Sequence, residues 1–492
     1  MTGIGRKSAL SQRWLKSPSG LAQRPWASMI RASQRSIVTS RRRGYRASGN
    51  AADSSRLRRM STTGRHGWRG LVAVFWITSM VEGLGVSQVF ALLPSQLSAM
   101  GVPDADRLSF IGLFSALLFV LGMPLVPLWG VWADKYSRKA VIVRSAIVEA
   151  VVFTGMALAR EPWQVAVSVL LIGFQLGNTG VMLAGIRDAT PRHRLGTVIA
   201  VFGASGPVGF AVGPTLAGIL IDGLGWSVSG VFALSAALSL GTGALVLLGS
   251  REVRPEVVPE GRVLTLAFGA IRGVLGDPAV RGIFLIFGTA FLANQMARPY
   301  VPVVVEEVVG RGPGLASGIA LVAGTAALAG ALLSPIAGAL GDRIGFRSVL
   351  VAALVGGAVA IGLMPIVAGI GGIPLLALVA VAFAACTSAI SAMVFGLLAT
   401  EVPAERRSQT LNLVYLPLYA AGIIGPVVGS QVVKLGLPAP FFLGAAVFLL
   451  GAIAVIRRAR ATPRVLVRQA DAALRHELHE LAADTTDDLP LK

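Results

Sequence analysis

The amino-acid sequence predicts an all-α membrane protein with twelve transmembrane helices arranged as two six-helix bundles. Of the 492 residues, 54% are hydrophobic and only 14% are charged, whereas a soluble domain carries about 25% charged residues. Between residues 71 and 456, apolar stretches of about 20 residues alternate with short polar breaks, and a helix of that length crosses a bilayer.

These stretches predict twelve spans, and the longest break follows the sixth. The spans are 71–93, 108–128, 140–159, 163–186, 197–221, 227–248, 281–304, 315–340, 347–369, 373–399, 409–433 and 438–456. The expected domains are a first bundle over 71–248, a cytoplasmic central loop over 249–280, a second bundle over 281–456 and a cytoplasmic tail over 457–492.

Residues 1–70 contain 16 Lys and Arg residues and one acid, Asp53. Their composition predicts a disordered cytoplasmic tail. Two interpretations stay open. One is a mitochondrial transit peptide, which would place the protein in an organellar membrane. The other is an upstream start with Met60 as the working initiator, in a protein of the plasma (inner) membrane.

The loops on the amino-terminal side of the membrane are rich in Lys and Arg. The positive-inside rule assigns that side to the cytoplasm. Because twelve spans return the chain to the side where it started, we expect both termini to be cytoplasmic.

Composition also excludes several functions. The single cysteine, Cys386, allows no internal disulfide and no cysteine zinc cluster, and four scattered His residues do not favour a metal site. No Walker sequence is present, so ATP-driven pumping is not expected. The net charge of +20 lies mostly in the basic tail and the loops, which favours no nucleic-acid partner. We expect no cofactor and no enzyme activity.

The two halves of the chain repeat each other. At an offset of 208 residues, the matches are Pro94 with Pro302, Pro127 with Pro335, Gly130 with Gly338 and Asp134 with Asp342. At an offset of 212, they are Pro191 with Pro403, Arg194 with Arg406, Gly213 with Gly425 and Pro214 with Pro426. A parallel repeat of six spans is typical of secondary transporters, whose substrate site lies near the bilayer midplane between the halves.

Two charged turns, "GVWADKYSRK" (130–139) and "GALGDRIGFR" (338–347), lie at matching places in the repeat. Both resemble the G-x-x-x-D-R-x-G-R-R loop of the major facilitator superfamily, with Ser137 in place of one glycine. The resemblance covers about residues 71–456 and implies the twelve-helix fold of that superfamily.

The resemblance implies that these turns gate the transporter. The expected gating residues are Gly130, Asp134, Lys135, Arg138, Lys139 and Asp188 in the first half, and Gly338, Asp342, Arg343, Arg347 and Glu401 in the second. Glycine at position 130 is expected to allow close helix approach. Asp188 is the predicted partner of Arg138, and Glu401 that of Arg347; such pairs would lock the outward-facing state. The alternative is that these charges only set topology.

A second motif, "GASGPVGFAVGPTLAG" (203–218), is in the fifth span. Its last part, "GPTLAG" (213–218), resembles the G-P-x-x-G-G motif of drug/proton antiporters, with Ala217 in place of one glycine. Ordinary tight helix packing is the alternative. The motif residues are Gly206, Pro207, Gly213, Pro214 and Gly218, echoed by Gly425 and Pro426 in the eleventh span. That branch often carries an arginine in the fourth span, where this chain has Gly173.

Ionisable residues at bilayer depth are costly and indicate function. Glu82, near the middle of the first span, is the principal candidate for proton coupling, and Glu149 in the third span is the second. A static ion pair or hydrogen bond is the alternative role for Glu82. Arg298 in the seventh span either pairs with Glu82 or binds an anionic group.

Polar residues of the first, fourth, seventh and tenth spans are the predicted substrate contacts. They are Ser79, Gln175, Asn178, Thr179, Asn294, Gln295, Arg298, Thr387 and Ser391. In the fourth span, Gln175, Asn178, Thr179 and Met182 have helical spacing that predicts one shared face. Interhelical hydrogen bonding alone is the alternative.

Together these features predict a monomeric secondary transporter that exports small apolar or cationic compounds in exchange for protons, by alternating access. Its partners are the lipid bilayer, a small-molecule substrate and protons. The alternative is a carrier for an anionic metabolite that uses Arg298. A non-transporting receptor on the same scaffold is a third possibility.

Overall fold

The computed structural model of the chain describes residues 67–255, 258, 260–276, 278–401, 413 and 416–458. Every regular element in this part is a helix. Residues 1–66 and 459–492, which hold most of the two predicted tails, lie outside the described residues.

The described residues contain eleven helical stretches long and apolar enough to cross a membrane, and one of them holds two spans. We number the spans α1 (Trp68–Ala99), α2 (Asp104–Lys135), α3 (Arg138–Leu158), α4 (Pro162–Ala189), α5 (Arg192–Gly223), α6 (Val228–Gly249), α7 (Val280–Val309), α8 (Leu315–Ile344), α9 (346–371), α10 (373–401), α11 (Leu416–Leu435) and α12 (Ala439–Arg458). A shorter helix, Val263–Leu275, lies between α6 and α7.

The division between α9 and α10 is made by Gly372. The stretch Phe346–Glu401 has 56 residues, and a straight helix of that length would measure about 84 Å, far more than the hydrocarbon core of about 30 Å. Gly372 has φ 63° and ψ −163°, a backbone conformation that only glycine adopts readily. The prediction of twelve spans in an all-α membrane protein is confirmed.

The first charged turn is shorter than its motif suggests. The apolar pattern predicts an end of α2 at residue 128, but the helix continues to Lys135, and α3 begins at Arg138. Only Tyr136 and Ser137 lie between them. Ser137 caps α3, because its Oγ accepts a hydrogen bond from the Ala140 backbone N–H at 3.0 Å. The predicted end of α2 was too early, because polar residues can continue a helix where water or a protein partner satisfies their hydrogen bonds.

Span α4, predicted as one continuous helix, is broken in the middle. It consists of the helix Pro162–Leu171, a 3₁₀ turn Ile172–Phe174 and the helix Asn178–Ala189. Gly177 separates the last two with a left-handed φ of 93°. Discontinuous helices of this kind form binding sites in transporters, because their free ends place polar backbone groups at membrane depth.

Small residues bring α5 against α1 and, in the same way, α11 against α7. A Cβ atom added to Gly213 would lie 2.1 Å from the Ser87 Oγ of α1, and one added to Gly425 would lie 2.8 Å from the Gln295 Cβ of α7. Larger residues therefore do not fit at either place. Tight helix packing, the alternative role considered for the fifth-span motif, is therefore observed at Gly213.

The two halves meet through α2 with α11 and through α5 with α8. A Cβ on Gly112 of α2 would lie 2.8 Å from the Pro426 carbonyl oxygen of α11. At the end of α5, the Asp222 carboxylate accepts a hydrogen bond of 2.7 Å from the Ser317 backbone N–H of α8. Asp222 and Ser317 lie at the helix ends opposite the charged turns, and Gly112 lies in the half of α2 nearer that end.

The close approach at position 213 is directly testable. We predict that Gly213→Ala lowers the free energy of unfolding by about 1–3 kcal/mol, the usual cost of overpacking. Gly206→Ala is the matched control, since no heavy atom lies within 4 Å of its added Cβ. Thermal melts of the two purified variants in detergent check the prediction, and equal melting temperatures would refute it.

Candidate functional site

Glu82 of α1 is buried in the first half and meets the break in α4. Only 6% of the residue is exposed, and its Oε1 accepts a hydrogen bond from the Asn178 amide. Asn178 is the first residue of the second half-helix of α4. A helix amino terminus carries partial positive charge, which favours a carboxylate beside it. The fold therefore holds an ionisable group and stabilises its charged form from one side.

The residues around this break are incompletely bonded. The Gln175 backbone carbonyl accepts a hydrogen bond of 3.0 Å from Ser145 Oγ of α3. In the part of the chain that the structure describes, the side-chain oxygens of Gln175 and Asn178 are buried without a hydrogen-bond donor. Buried polar atoms without a partner are uncommon and mark places where ligands, water or protons are handled.

The predicted single polar face of α4 is wrong. Gln175, Asn178 and Met182 are buried, whereas Thr179 is exposed. Helical spacing does not carry across Gly177, because its left-handed backbone ends one helix before the next begins. The predicted contacts of α4 therefore do not share one environment.

Arg144 of α3 lies near this site, and the sequence pattern did not single it out. Its guanidinium lies over the Trp129 ring, 3.6 Å from the centroid, and close enough for its charge to act on Glu82. Two of its nitrogens, Nε and Nη1, are buried without an acceptor among the described residues. The available signal was a basic residue inside a predicted span.

Gly173, where the antiporter branch often has arginine, packs against α2. A Cβ added there would lie 2.6 Å from the Gly122 backbone nitrogen. The site thus has no room for a larger side chain, and the buried arginine near Glu82 comes from α3 instead.

Glu149, the second predicted coupling residue, is 1% exposed. Its Oε2 accepts a hydrogen bond of 3.2 Å from Ser239 Oγ of α6, while its Oε1 has no partner within the described segments. It lies close enough to Glu82 for the charge of Glu82 to act on it. The first half therefore buries two carboxyl groups that interact.

Ser79, predicted as a substrate contact, is bonded within the first half. Its Oγ accepts a hydrogen bond of 2.8 Å from Ser205 Oγ of α5, and it is buried. This bond corresponds to the interhelical alternative considered for the polar residues.

In the second half, Asn294 of α7 faces Thr387 and Ser391 of α10 across a cavity of about 140 Å³. Ser388, next to Thr387 in α10, joins the same wall. Gln295 is not on the cavity: it is 1% exposed and lies against Gly425 of α11. Three of the predicted substrate contacts are thus brought together.

Arg298 lies at the interruption of α7, between the two halves. Its guanidinium is 4.3 Å from the ring centroid of Phe90 in α1 and 5.0 Å from that of Phe210 in α5. Among the described residues it has no ion pair with any carboxylate, so the considered pairing with Glu82 is not formed. The arginine is held by aromatic faces instead.

At the end of the bundle with the charged turns, here called the motif end, Arg138 is the centre of a cluster. Its Nη1 lies 2.8 Å from Asp188 Oδ2, and its Nη2 lies 2.7 Å from Asp134 Oδ1. The predicted Arg138–Asp188 pair is therefore present, and it lies wholly in the first half.

The central segment folds back onto this turn. Glu252, which the motif does not include, accepts hydrogen bonds from Ser137 Oγ at 2.5 Å and from the Arg138 backbone N–H at 2.9 Å. Lys139 Nζ donates to the Leu247 carbonyl at 2.7 Å. Lys135 Nζ likewise donates to the Gly261 carbonyl at 2.6 Å.

The motif-end glycines have open surroundings. No described heavy atom lies within 4 Å of a Cβ added to Gly130 or Gly338, so the close approach expected at Gly130 is absent here because no helix faces it. Asp342 and Arg343 are exposed. The Glu401 side chain lies outside the described residues, so its pair with Arg347 stays a prediction.

The opposite end, here called the far end, carries an ion pair between the halves that sequence reasoning missed. Arg107 of α2 donates from Nη1 to Glu306 Oε2 at 2.9 Å and from Nη2 to Glu306 Oε1 at 2.7 Å. The Arg107 side chain is 3% exposed and that of Glu306 is 8% exposed. Bidentate Arg–carboxylate pairs are among the strongest polar contacts.

Arg311 and Asp104 complete this far-end network. Arg311 bonds Glu306 through Nε and Asp104 through Nη2, each at 2.5 Å. These bonds raise the pKa of the Arg311 guanidinium, so it stays charged. The network closes the far end by joining α2 of one half to α7 and the following loop of the other.

A family profile described as Major Facilitator Superfamily matches residues 73–326 and 315–483. The chain belongs to this superfamily. Among its superfamily relatives, multidrug resistance protein MdtG of Enterobacter lignolyticus (strain SCF1) is 28% identical over 289 residues, 58% of this chain and 68% of that protein. MdtG of Salmonella typhi is 27% identical over 292 residues, 58% of this chain and 70% of that protein.

Solved structures of transporters share the fold. Nucleoside transporter NupG matches with a TM-score of 0.63 at 15% identity, over 79% of this chain and 98% of that chain. The human organic anion transporter MFSD10 matches with a TM-score of 0.57 at 18% identity, over 79% and 99%. The predicted fold and the resemblance to the drug/proton antiporter branch are confirmed, and the chain is a membrane transporter and not an enzyme.

If the two halves separate at the far end, the far-end network must break. We predict that Glu306→Gln opens the far end in part of the population, because removing one member of a buried ion pair typically costs about 3–5 kcal/mol. Spin labels at positions 105 and 309, in a Cys386→Ser background, report the distance between the halves.

The matched control is Glu307→Gln, which changes the neighbouring exposed acid and should leave the distance distribution as in the parent. A Glu306→Gln distribution identical to that of the parent would contradict the gating role of the Arg107–Glu306 pair.

Proposed function

We propose that the chain exports small apolar or cationic compounds from the cytoplasm in exchange for protons, by alternating access between its halves. The observation that carries the proposal is Glu82, a carboxyl group buried within the first half and bonded to the amide at the break in α4. The MdtG relatives, named as multidrug resistance proteins, support the substrate class.

Proton exchange follows from the surroundings of Glu82. A buried carboxylate has a desolvation cost that protonation removes. Protonation also removes the negative charge that attracts Arg144. The Arg144 guanidinium is then free to donate hydrogen bonds to other acceptors. In the proposed cycle, Glu82 is protonated in the outward-facing state and releases its proton to the cytoplasm in the inward-facing state, so a cation and a proton compete for one charge.

We further propose that the motif end faces the cytoplasm of a cell with the protein in its plasma (inner) membrane, with both termini inside. In that orientation the Arg107–Glu306 pair closes the extracellular side. The open faces of Gly130 and Gly338 then allow the halves to approach each other in the alternative state. In that state the second half contacts the Arg138 cluster, and the cluster then serves as the gate at the motif end. The transporter functions as a monomer.

The coupling role of Glu82 gives a direct prediction. In vesicles with an imposed pH gradient, Glu82→Gln reduces proton-driven ethidium efflux at least tenfold, since an amide of the same shape cannot take up or release the proton. Fluorescence of the dye during the imposed gradient measures the rate.

Glu260→Gln is the control, because Glu260 is an exposed acid of the central segment and its loss should leave efflux unchanged. If Glu82→Gln exports ethidium at the parental rate and with the parental dependence on the gradient, the coupling assignment is wrong.

A second candidate function rests on Arg298. A guanidinium between the two halves, stacked on Phe90 and Phe210 without a carboxylate partner among the described residues, is suited to bind an anionic group of a substrate. In this reading the chain carries an anionic metabolite rather than exporting cations.

The two candidates separate experimentally. For an anion carrier, Arg298→Ala abolishes uptake of labelled organic anions such as succinate into vesicles, while Arg160→Ala, at an exposed arginine, leaves uptake unchanged. Ethidium efflux is absent throughout in that case. Ethidium efflux without anion uptake excludes the anion carrier.

A further inference from the structure

The cavity in the second half corresponds to the Glu82 site in the first half. In the register of the repeat that places Pro94 on Pro302, Glu82 falls on Ala290. Ala290 lines the cavity. In the first half, this position holds the Glu82 carboxyl group, which is bonded to α4. In the second half, it holds only the methyl group of Ala290, and the cavity lies between this residue and α10.

The walls of this cavity are neutral and carry free hydrogen-bonding capacity. None of its lining residues is ionisable. Within the described part of the chain, the Asn294 amide and the Ser388 hydroxyl make no hydrogen bond. Thr387 and Ser391 donate to backbone carbonyls at 3.0 and 3.1 Å, which leaves their oxygens able to accept.

Two aromatic side chains, Phe291 and Phe448, form the apolar part of the wall. Aromatic side chains favour stacked or edge-on contact with another ring. The volume of about 140 Å³ is close to that of an engineered protein cavity of about 150 Å³ that binds benzene. The cavity thus suits one six-membered ring.

We propose that this cavity is a subsite for an uncharged aromatic ring bearing an amide or hydroxyl group, with Asn294 and Ser388 as its hydrogen-bonding partners. This proposal rests on the proposed export of small molecules and specifies part of the substrate. The aromatic ring of the substrate binds in the second half, while its positive charge interacts with Glu82 in the first half.

The probe is 4-fluorobenzamide, a neutral single ring with one amide. Its binding to the full chain in lipid nanodiscs is followed by fluorine NMR without a pH gradient, with empty nanodiscs as the baseline. We expect saturable binding. Asn294→Leu should lower the affinity about tenfold, which is the usual effect of losing one hydrogen bond. Ser391→Phe, which fills the cavity, abolishes binding.

The matched control is Thr289→Val, since the Thr289 hydroxyl is bonded to its own helix at the Leu285 carbonyl; it should bind the probe as the parent does. Charged probes of the same size, 4-fluorobenzoate and 4-fluorobenzylammonium, should bind at least tenfold more weakly. Should Asn294→Leu fail to fold, Ser388→Ala and Ser391→Phe decide the question.

Binding equal to that of empty nanodiscs would overturn the subsite, as would parental binding in Ser391→Phe or equal binding of the charged probes. This outcome is distinct from failure of the proposed function. Probe binding is measured without a pH gradient, so a chain that binds the probe but exchanges no proton refutes the coupling alone.

Discussion

The buried carboxyl group of Glu82, bonded to the first amide of a half-helix in α4, is the interaction on which the account depends. A charge in an apolar interior costs several kcal/mol unless neighbouring groups compensate it. The left-handed turn at Gly177 supplies a helix end for this purpose, and α3 supplies Arg144. The close packing of α5 against α1 at Gly213 lies within the same half.

The two ends of the bundle are held by different contacts. This difference explains why the structure is closed at the far end. At the far end, the Arg107–Glu306 pair crosses between the halves and is almost fully buried. At the motif end, the Arg138 cluster stays within the first half and the central segment. A contact that crosses the interface resists separation of the halves, whereas an internal contact only shapes one surface.

Sequence reasoning succeeded where the physical signal is local or repeated. Apolar length predicted the spans, and the repeated turn identified the family and the Arg138–Asp188 pair. It failed at the break in α4, because Gly177 is one of 59 glycines and nothing local marks its left-handed φ. It also missed Arg107 with Glu306, which are 199 residues apart and meet only through the packing of α2 against α7. The neutral cavity at Ala290 likewise depends on packing that one sequence does not display.

Proton release on substrate binding tests the central claim most directly. Purified protein in weakly buffered detergent solution, with a pH-sensitive dye present, is mixed with ethidium. The account predicts that the parent releases protons as it binds the cation and that Glu82→Gln releases none, because the competing proton resides on Glu82. Equal proton release from both proteins would contradict it.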